Sequence, residues 1–494
     1  ESVSSLKLMD LLAVLPDARI DGAAPEVEVS GVSHDSRTVG PGDLFVAIRG
    51  QKSDGAAHVP EAIARGAAAI ASESPAPTGS LVPWVRVGNS RRALALAAAE
   101  LAGNPSEKLV LAGVTGTNGK TTTATLLAAL LERKFGRAGF LGTVGYRTGK
   151  RNTDAPRTTP DATVLQELLA EMVGAGVPSA AIEVSSHALA LDRVAGCRFD
   201  VAVFTNLTRD HLDFHRDMEE YFDTKAMLFG LRKAGAAGVV NVDDPWGTRL
   251  AASAAPPIIT TSSRGAPADV TAENILCDLS GTFFDLAARG VAPFRVSSPL
   301  LGRFNVDNLL SAAAAGLALG LSAEDVVAGC ASVQRVPGRL EPVDAGQPYR
   351  IVVDYAHTPD ALERLLLAVR ELTDRKIILV FGCGGDRDRG KRFPMGEIAG
   401  RLADIPIATS DNPRSEDPQA ILAEVAAGLA ASGATKALRI VDRRDAIRAA
   451  IDFANPGTIV VIAGKGHEST QVIGSEVLPF DDRQIAAELA GGRR

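Results

Sequence analysis

Cysteine is the scarcest informative residue in this chain. Only four occur among 494 residues, at Cys197, Cys277, Cys330 and Cys383, far apart and with no C-x-x-C pair. That excludes a zinc knuckle and a disulfide framework, and it fits a reducing compartment. A strong excess of one charge is also missing, since 52 Lys and Arg stand against 59 Asp and Glu for a net −7. No nucleic-acid surface or membrane patch is therefore expected. Long apolar runs are absent too. The longest uncharged stretch, Leu309 to Ala323, is Ala/Gly-rich and shorter than the roughly 20 apolar residues of a membrane span. Residues Glu1 to Pro16 carry acids and lack a basic-then-apolar signal pattern, so the expected location is the cytosol.

What the chain does contain centres on Gly113-Val114-Thr115-Gly116-Thr117-Asn118-Gly119-Lys120-Thr121-Thr122. This Gly-rich run lies between an apolar strand pattern, Lys108 to Val114, and a helical pattern reaching about Lys134. Glycines let successive backbone N–H groups close around a polyphosphate. The following helix aims its positive end there, Lys120 adds a charge, and the Thr121 hydroxyl is placed to ligate Mg²⁺. The frame has one residue more between Gly113 and Gly119-Lys120 than the usual phosphate-binding loop.

The length suggests about three domains, with boundaries read at 1–107, 108–338 and 339–494. The first segment holds short strand patterns at Val27 to Ser33, Leu44 to Ile48 and Trp84 to Val87, and helices near Leu6 to Leu15 and Arg91 to Leu101. Its notable stretch, His34-Asp35-Ser36-Arg37 followed by Pro41-Gly42, pairs turn formers with hydroxyl and guanidinium groups. On residue types alone it reads as a surface loop and hairpin.

The second segment alternates strands and helices. Strand patterns at Lys108 to Val114, Ala138 to Val144, Ala180 to Val184, Val201 to Phe204, Gly238 to Val242 and Pro257 to Thr260 predict a largely parallel sheet. Ligands of such sheets lie beyond the carboxyl ends of the strands. That singles out Arg157-Thr158-Thr159-Pro160, Glu183-Val184-Ser185-Ser186-His187, and Thr205-Asn206-Leu207 with Asp210-His211-Leu212-Asp213. Glu183 closes an apolar strand, where a lone carboxylate is costly unless it meets a cation. Mg²⁺ held by phosphates would be that cation, and His211 a ligand for a second. Lys225 lies in a helical pattern with Tyr221, Phe222 and Phe229, a setting in which most lysines are snorkelling surface residues. After Thr260 the pattern is less regular until Ser297.

The third segment alternates again, with strands at Arg350 to Tyr355, Lys376 to Gly382, Pro406 to Ser410, Leu438 to Val441 and Thr458 to Ala463. Each of the four principal ones precedes a polar cluster: Asp354-Tyr355-Ala356-His357, Gly382 to Asp388, Asp411-Asn412-Pro413-Arg414, and Gly464-Lys465-Gly466-His467-Glu468. A second doubly wound sheet with its own crevice is predicted. Arg387 and Arg414 offer forks for carboxylates, while Asp411, Asn412 and Glu468 offer acceptors for an ammonium. A zwitterion with more than one carboxylate would suit them.

Taken together, Gly116 to Thr121, Glu183 to His187, Asn206 to Asp213, Lys225, Asn305 to Asn308, Pro337-Gly338-Arg339 and Asp354 to Pro359 resemble the Mur ligases of bacterial peptidoglycan synthesis across essentially the whole chain. The Asp411 to Arg414 motif resembles that of family members which add meso-diaminopimelate to UDP-N-acetylmuramoyl-L-alanyl-D-glutamate. Members that add L-lysine differ at its Arg. The resemblance implies an α/β fold of three domains: a small UDP-binding domain, a central P-loop ATPase-type sheet and a C-terminal Rossmann-like domain. It implies ATP and Mg²⁺, with phosphoryl transfer to the D-glutamyl side-chain carboxylate and attack by the diaminopimelate amine on the acyl phosphate.

Residue by residue, the resemblance gives Gly116 to Thr122, Asn305, Arg339, Asp354 and His357 to ATP. Lys120, Glu183, His211 and Lys225 become catalytic, with Thr121, Glu183, His211 and a carbamylated Lys225 as metal ligands. His34, Ser36, Gln51, Lys52, Ser53, Arg157, Thr158, Thr159, Ser185 and Arg193 would hold the UDP-muramoyl dipeptide. The chain departs from the family at Arg157 and Leu191, where Asn and Gln are common. Arg387, Asp411, Asn412, Pro413, Arg414, Gly464 and Glu468 would form the diaminopimelate pocket. Small-molecule substrates, no nucleic acid, no membrane insertion and a monomer are expected. An L-lysine-adding Mur ligase, a folylpolyglutamate synthase-like ligase, an acceptor-independent P-loop NTPase and a non-catalytic binding protein of the same fold remain the alternatives.

Overall fold

The computed structural model describes residues 5–21, 26–50, 54–210, 212 and 214–492. The chain separates into two compact units. One comprises Glu1–Thr271, Ala287–Pro293 and Asp307–Cys330; the other comprises Ala272–Leu286, Phe294–Val306 and Ala331–Arg494.

Besides a two-stranded ladder of Leu6–Lys7 with Glu28–Val29, the first unit contains two main sheets. The smaller is built from β1 (Arg19–Ile20), β2 (Gly31–Ser33), β3 (Asp43–Ala47), β4 (Ala69–Ser72) and β5 (Trp84–Arg86), in the order β1-β5-β4-β3-β2. Its interior strands β3 and β4 are almost wholly buried. The sequence reading missed β4: Ala69-Ile70-Ala71-Ser72 is too short and too rich in alanine to carry a strand signal. Helix α1 (Ser90–Leu101) is started by the Asn89 side chain accepting from Arg92 N, and its alanine face packs into the same core.

The larger sheet begins with β6 (Val110–Thr115), followed by α2 (Lys120–Phe135), β7 (Gly139–Gly142), β8 (Gly145–Arg147), β9 (Asn152–Thr153), α3 (Ala162–Gly174), β10 (Ser179–Glu183), β11 (Phe199–Phe204), α4 (Met218–Ala226), β12 (Arg232–Asn241) and β13 (Ile258–Ser262). The strands run β9-β8-β7-β10-β6-β11-β12-β13. The pairs from β7 to β13 are parallel, and the β7–β8–β9 edge is antiparallel. Central strands buried on both faces read as continuous apolar runs, which is why they were legible in sequence. In α4, Asp217 accepts from Glu220 N and starts the helix.

The stretch read as irregular after Thr260 is in fact three strands, Val270–Asp278, Gly281–Ala288 and Val291–Ser298. Polar residues interrupt their apolar alternation and hid it.

The second unit carries β14 (Glu341–Pro342), β15 (Arg350–Asp354), β16 (Lys376–Cys383), β17 (Ile405–Ser410), β18 (Leu438–Arg439) and β19 (Thr458–Ala463), ordered β14-β15-β19-β16-β17-β18. From β15 to β18 all pairings are parallel. Helices cover both faces and form two cores, one around Phe381, Leu379 and Val461 and the other around Ile378, Val460 and Ile447. A hairpin, β20 (Thr470–Ile473) with β21 (Glu476–Pro479), lies outside this sheet. The Pro337–Arg339 turn is fastened within the unit, because Gly338 N donates to Glu341 Oε2 at 2.7 Å and Tyr355 N donates to Gly338 O at 2.9 Å.

Candidate active site

Four residues connect β6 to α2, and the connection needs glycine at both ends. Gly116 has φ +151° and Gly119 φ +85°. A Cβ on Gly116 would overlap Thr205 Oγ1, and one on Gly119 would overlap Asn308 Oδ1. The loop is moulded from outside. Thr117 N donates to Asn206 O and Asn118 N to Asn206 Oδ1, both at 2.9 Å, and Thr205 Oγ1 donates to Asn118 O at 2.6 Å. Asn206, read from sequence as a strand-end site residue, thus serves as a template for the phosphate loop. Lys120 Nζ curls back onto the loop, donating to Gly116 O at 3.0 Å and Thr117 O at 2.9 Å. Helix α2 begins at Lys120 with its dipole directed at the loop.

Glu183, the last residue of β10, is fully buried. Thr121 Oγ1 donates to it at 3.0 Å, Thr143 N at 2.8 Å and Thr143 Oγ1 at 3.1 Å. A buried carboxylate beside a hydroxyl at the end of a phosphate loop is an all-oxygen donor set, which fits Mg²⁺. Among the described residues no group of three or more His, Cys, Asp and Glu gathers as a metal cluster. His211 lies outside the described residues, as do Gln51, Lys52 and Ser53.

Lys225 corrects the snorkelling expectation. It is 1% exposed, and its Nζ donates to Gly116 O at 2.7 Å while lying 4.7 Å from the centre of the Tyr221 ring. Burial holds its pKa well below the ordinary lysine value; the nearby charge of Lys120 acts the same way and Asp210 opposes both. Tyr221, whose hydroxyl meets Thr117 Oγ1 at 3.1 Å, joins α4 to the loop. Neither Tyr221 nor Thr143 was singled out in sequence, because their roles depend on contacts far along the chain.

A hydroxyl relay continues from Glu183. Thr143 Oγ1 meets Thr158 Oγ1 at 3.1 Å, Thr159 Oγ1 donates to Glu183 O at 2.7 Å, and Ser185 N donates to Thr159 Oγ1 at 3.1 Å. Arg193 donates to Thr159 O at 3.1 Å and pairs with Asp161 at 3.0 Å; Arg157 reaches the same Asp161 at 3.3 Å. His34 shares this neighbourhood. Crowding by protein lowers its pKa, Asp161 and Asp35 oppose the shift, and Arg91 and Arg157 reinforce it. Ser36 is buried with its hydroxyl donating to Glu61 Oε2 at 2.7 Å.

In the second unit the parallel strands bring four polar clusters to one edge of the sheet. Asp354, ending β15, accepts from Leu340 N at 2.8 Å and Ala356 N at 2.9 Å. Burial raises its pKa, against the charge of Arg339 and these two N–H groups. Arg339 lies over the Tyr355 ring at 5.2 Å, and His357 Nδ1 meets Tyr355 O at 2.9 Å. Burial lowers the His357 pKa. Asn305 is buried, with Nδ2 donating to Leu301 O at 2.7 Å.

At the end of β17, Asp411 and Asn412 are buried and Arg414 sits in the left-handed region at φ +50°. The hairpin clips it there: Arg414 N donates to Val472 O at 3.0 Å and Gly474 N to Arg414 O at 2.7 Å. Arg414 Nη1 donates to Gly385 O at 2.8 Å. Asn412 Nδ2 donates to Glu468 Oε2 at 3.0 Å, and a Cβ on Gly464 would lie 2.9 Å from Asp411 Oδ2. Gly384 adjoins both Arg414 and Arg387, and Gly385 packs on the Pro413 carbonyl. All seven residues expected in the amino-acid pocket therefore occupy one region of this unit. Lys465, not chosen from sequence, is at its centre.

Three family models match along the chain: "Mur ligase family, catalytic domain" over residues 28–101, "Mur ligase middle domain" over 114–316 and "Mur ligase, glutamate ligase domain" over 338–466. Curated relatives named UDP-N-acetylmuramoyl-L-alanyl-D-glutamate–2,6-diaminopimelate ligase include one from Geobacter metallireducens, 44% identical over 98% of both chains. Others with that name are from Gloeobacter violaceus, 47% identical over 95% of both, and Streptomyces coelicolor, 46% identical over 98% of this chain and 96% of the other. A solved structure of that name superposes with a TM-score of 0.74 at 34% identity, covering 99% of each chain. A Mycobacterium tuberculosis folylpolyglutamate synthase complexed with ADP and AMPPCP, 20% identical with a TM-score of 0.59 over 76% of this chain and 92% of its own, shares the fold.

Proposed function

The chain belongs to the Mur ligase family, and on that premise we propose that it is the ADP-forming ligase that joins meso-2,6-diaminopimelate to the D-glutamyl side-chain carboxylate of UDP-N-acetylmuramoyl-L-alanyl-D-glutamate. The observation that carries this reading is the Asp411–Arg414 segment clipped by the β20–β21 hairpin, which fixes an arginine beside buried acceptors. Diaminopimelate has a distal carboxylate that lysine lacks, and a guanidinium is its planar, bidentate partner.

In this mechanism Lys120 and the loop N–H groups stabilise negative charge on the transferring phosphoryl group. Thr121 and Glu183 would hold one Mg²⁺, and His211 and a carbamylated Lys225 a second; when bound, the ions would neutralise phosphate and carboxylate charge. Lys225, enclosed and with its proton affinity lowered by burial, is suited to take up CO₂ as a carbamate, which would put an anionic ligand where an ammonium would be repelled. Thr158, Thr159, Ser185, Arg193 and Arg157 orient the acceptor dipeptide, while His34, Ser36 and Gln51 to Ser53 take the uridine end. Asn305, Arg339, Asp354 and His357 are the residues of the second unit proposed to contact ATP. Residues 1–107, 108–338 and 339–494 then serve UDP-sugar, ATP and amino acid in turn, in a cytoplasmic monomer.

Phosphate release from ATP, measured with the UDP-muramoyl dipeptide and either meso-diaminopimelate, L-lysine or no amino acid, tests the proposal. Release should require the dipeptide and diaminopimelate together. A preference for lysine would overturn the substrate assignment, and release without an acceptor would overturn ligase chemistry.

A further inference from the structure

Lys465 is the most deeply enclosed cation of the amino-acid pocket. Its side chain is completely buried. An ammonium cut off from water is costly unless paired, and the partners of this one are all pocket residues. Nζ donates to Asn412 Oδ1 at 3.1 Å and to Glu468 Oε2 at 3.1 Å, and lies 3.7 Å from Asp411 Oδ1. Two glycines flank the lysine in backbone conformations that side chains disfavour. Gly464 and Gly466 have φ +120° and +55°, and a Cβ on Gly466 would stand 2.7 Å from Tyr355 Cβ.

We propose that Lys465 is the positioning residue of this pocket, holding Asp411, Asn412 and Glu468 in the arrangement that receives the ammonium end of the incoming amino acid; this rests on the function proposed above. Two effects follow from the geometry. Lys465 and the Val472 main chain together fix which way the Asn412 amide faces: Oδ1 accepts from Lys465 Nζ at 3.1 Å and from Val472 N at 3.0 Å, so Nδ2 is directed to Glu468. It also sets the charge. Asp411 and Glu468 with Lys465 sum to −1, which one substrate ammonium neutralises. Without Lys465 the same two carboxylates sum to −2 and repel each other. Arg443 is committed elsewhere, bound by both nitrogens of one edge to buried Asp482 at 2.8 and 2.6 Å.

The test is a KM-against-kcat comparison of K465M, which keeps length without charge, and K465Q, which keeps a donor without charge. Steady-state rates with dipeptide, ATP and diaminopimelate should show KM for diaminopimelate raised at least tenfold in both variants. KM for ATP and dipeptide should stay within twofold, and kcat at saturating diaminopimelate within about threefold. Because charge is removed, the rate ratio of L-lysine to diaminopimelate should rise. Unchanged KM for diaminopimelate in either soluble variant would overturn the proposal. So would equal losses for all three substrates, or failure of both variants to fold, since either result would make Lys465 a structural residue. If the unaltered enzyme itself does not use diaminopimelate, the failure lies with the function and not with Lys465.

Discussion

Replacing Arg414 by Ala and, separately, by Gly distinguishes recognition from scaffolding at one position. In the folded protein Arg414 occupies φ +50° and is held by main-chain bonds to Val472 and Gly474 that any residue can make. Its side chain contributes the Nη1 bond to Gly385 O at 2.8 Å and, by the proposal, the partner of the distal carboxylate. Charge-assisted hydrogen bonds contribute about 1.5–3 kcal/mol, so both variants should raise KM for diaminopimelate roughly 10- to 150-fold at 1.4 kcal/mol per decade. Lysine lacks that carboxylate, so its already poor rate should change less than about twofold. The two variants should differ in stability, because a left-handed backbone disfavours Ala by about 1 kcal/mol relative to Gly. Phosphate-release kinetics with each amino acid and urea unfolding of each variant provide the readouts. Equal losses for diaminopimelate and lysine would refute the carboxylate role, and equal unfolding midpoints for the Ala and Gly variants would refute the strain argument.

Lys225→Ala should lower kcat by about 10²-fold or more, on the scale of removing one preorganised electrostatic group, while bicarbonate should stimulate the unaltered enzyme alone; activity assays in CO₂-depleted buffer check both. Because burial holds the folded pKa of Lys225 well below 10.5, the folded state binds fewer protons than the unfolded chain between those two values. Its contribution to stability therefore rises with pH through that window, and unfolding of Lys225→Ala should lose this slope. Gly116→Ala should abolish ATP binding measured by calorimetry, since both its φ and the overlap with Thr205 oppose a side chain. Arg443→Met leaves Asp482 buried and unpaired, so it should cost about 3–5 kcal/mol in urea unfolding, whereas Arg443→Met with Asp482→Leu should recover most of the loss.

The phosphate loop, the parallel strands and the polar clusters after them were all legible in sequence, because each is written in consecutive residues. An apolar run buried on both faces, a glycine pair or an acid closing a strand carries its meaning locally. Ala69–Ser72 and the strands from Val270 to Ser298 were not legible, since a short alanine-rich strand and a polar-interrupted alternation have no distinctive period. Lys225 shows the same limit from the other side. Its helix reads as half-solvated, yet the fold turns the lysine nitrogen onto the Gly116 carbonyl.

By itself, the sequence determined the alternation of elements and the residue types available at each strand end, because backbone propensity and burial periodicity act over a few neighbours. Only the tertiary structure decided which of those groups meet. Asn206 became the mould of a loop 88 positions earlier. Thr143 and Thr121 closed on Glu183, and Lys465 was enclosed with Asp411, Asn412 and Glu468. A buried charge is stable only where distant segments bring it a partner, and that pairing is a property of the packed fold.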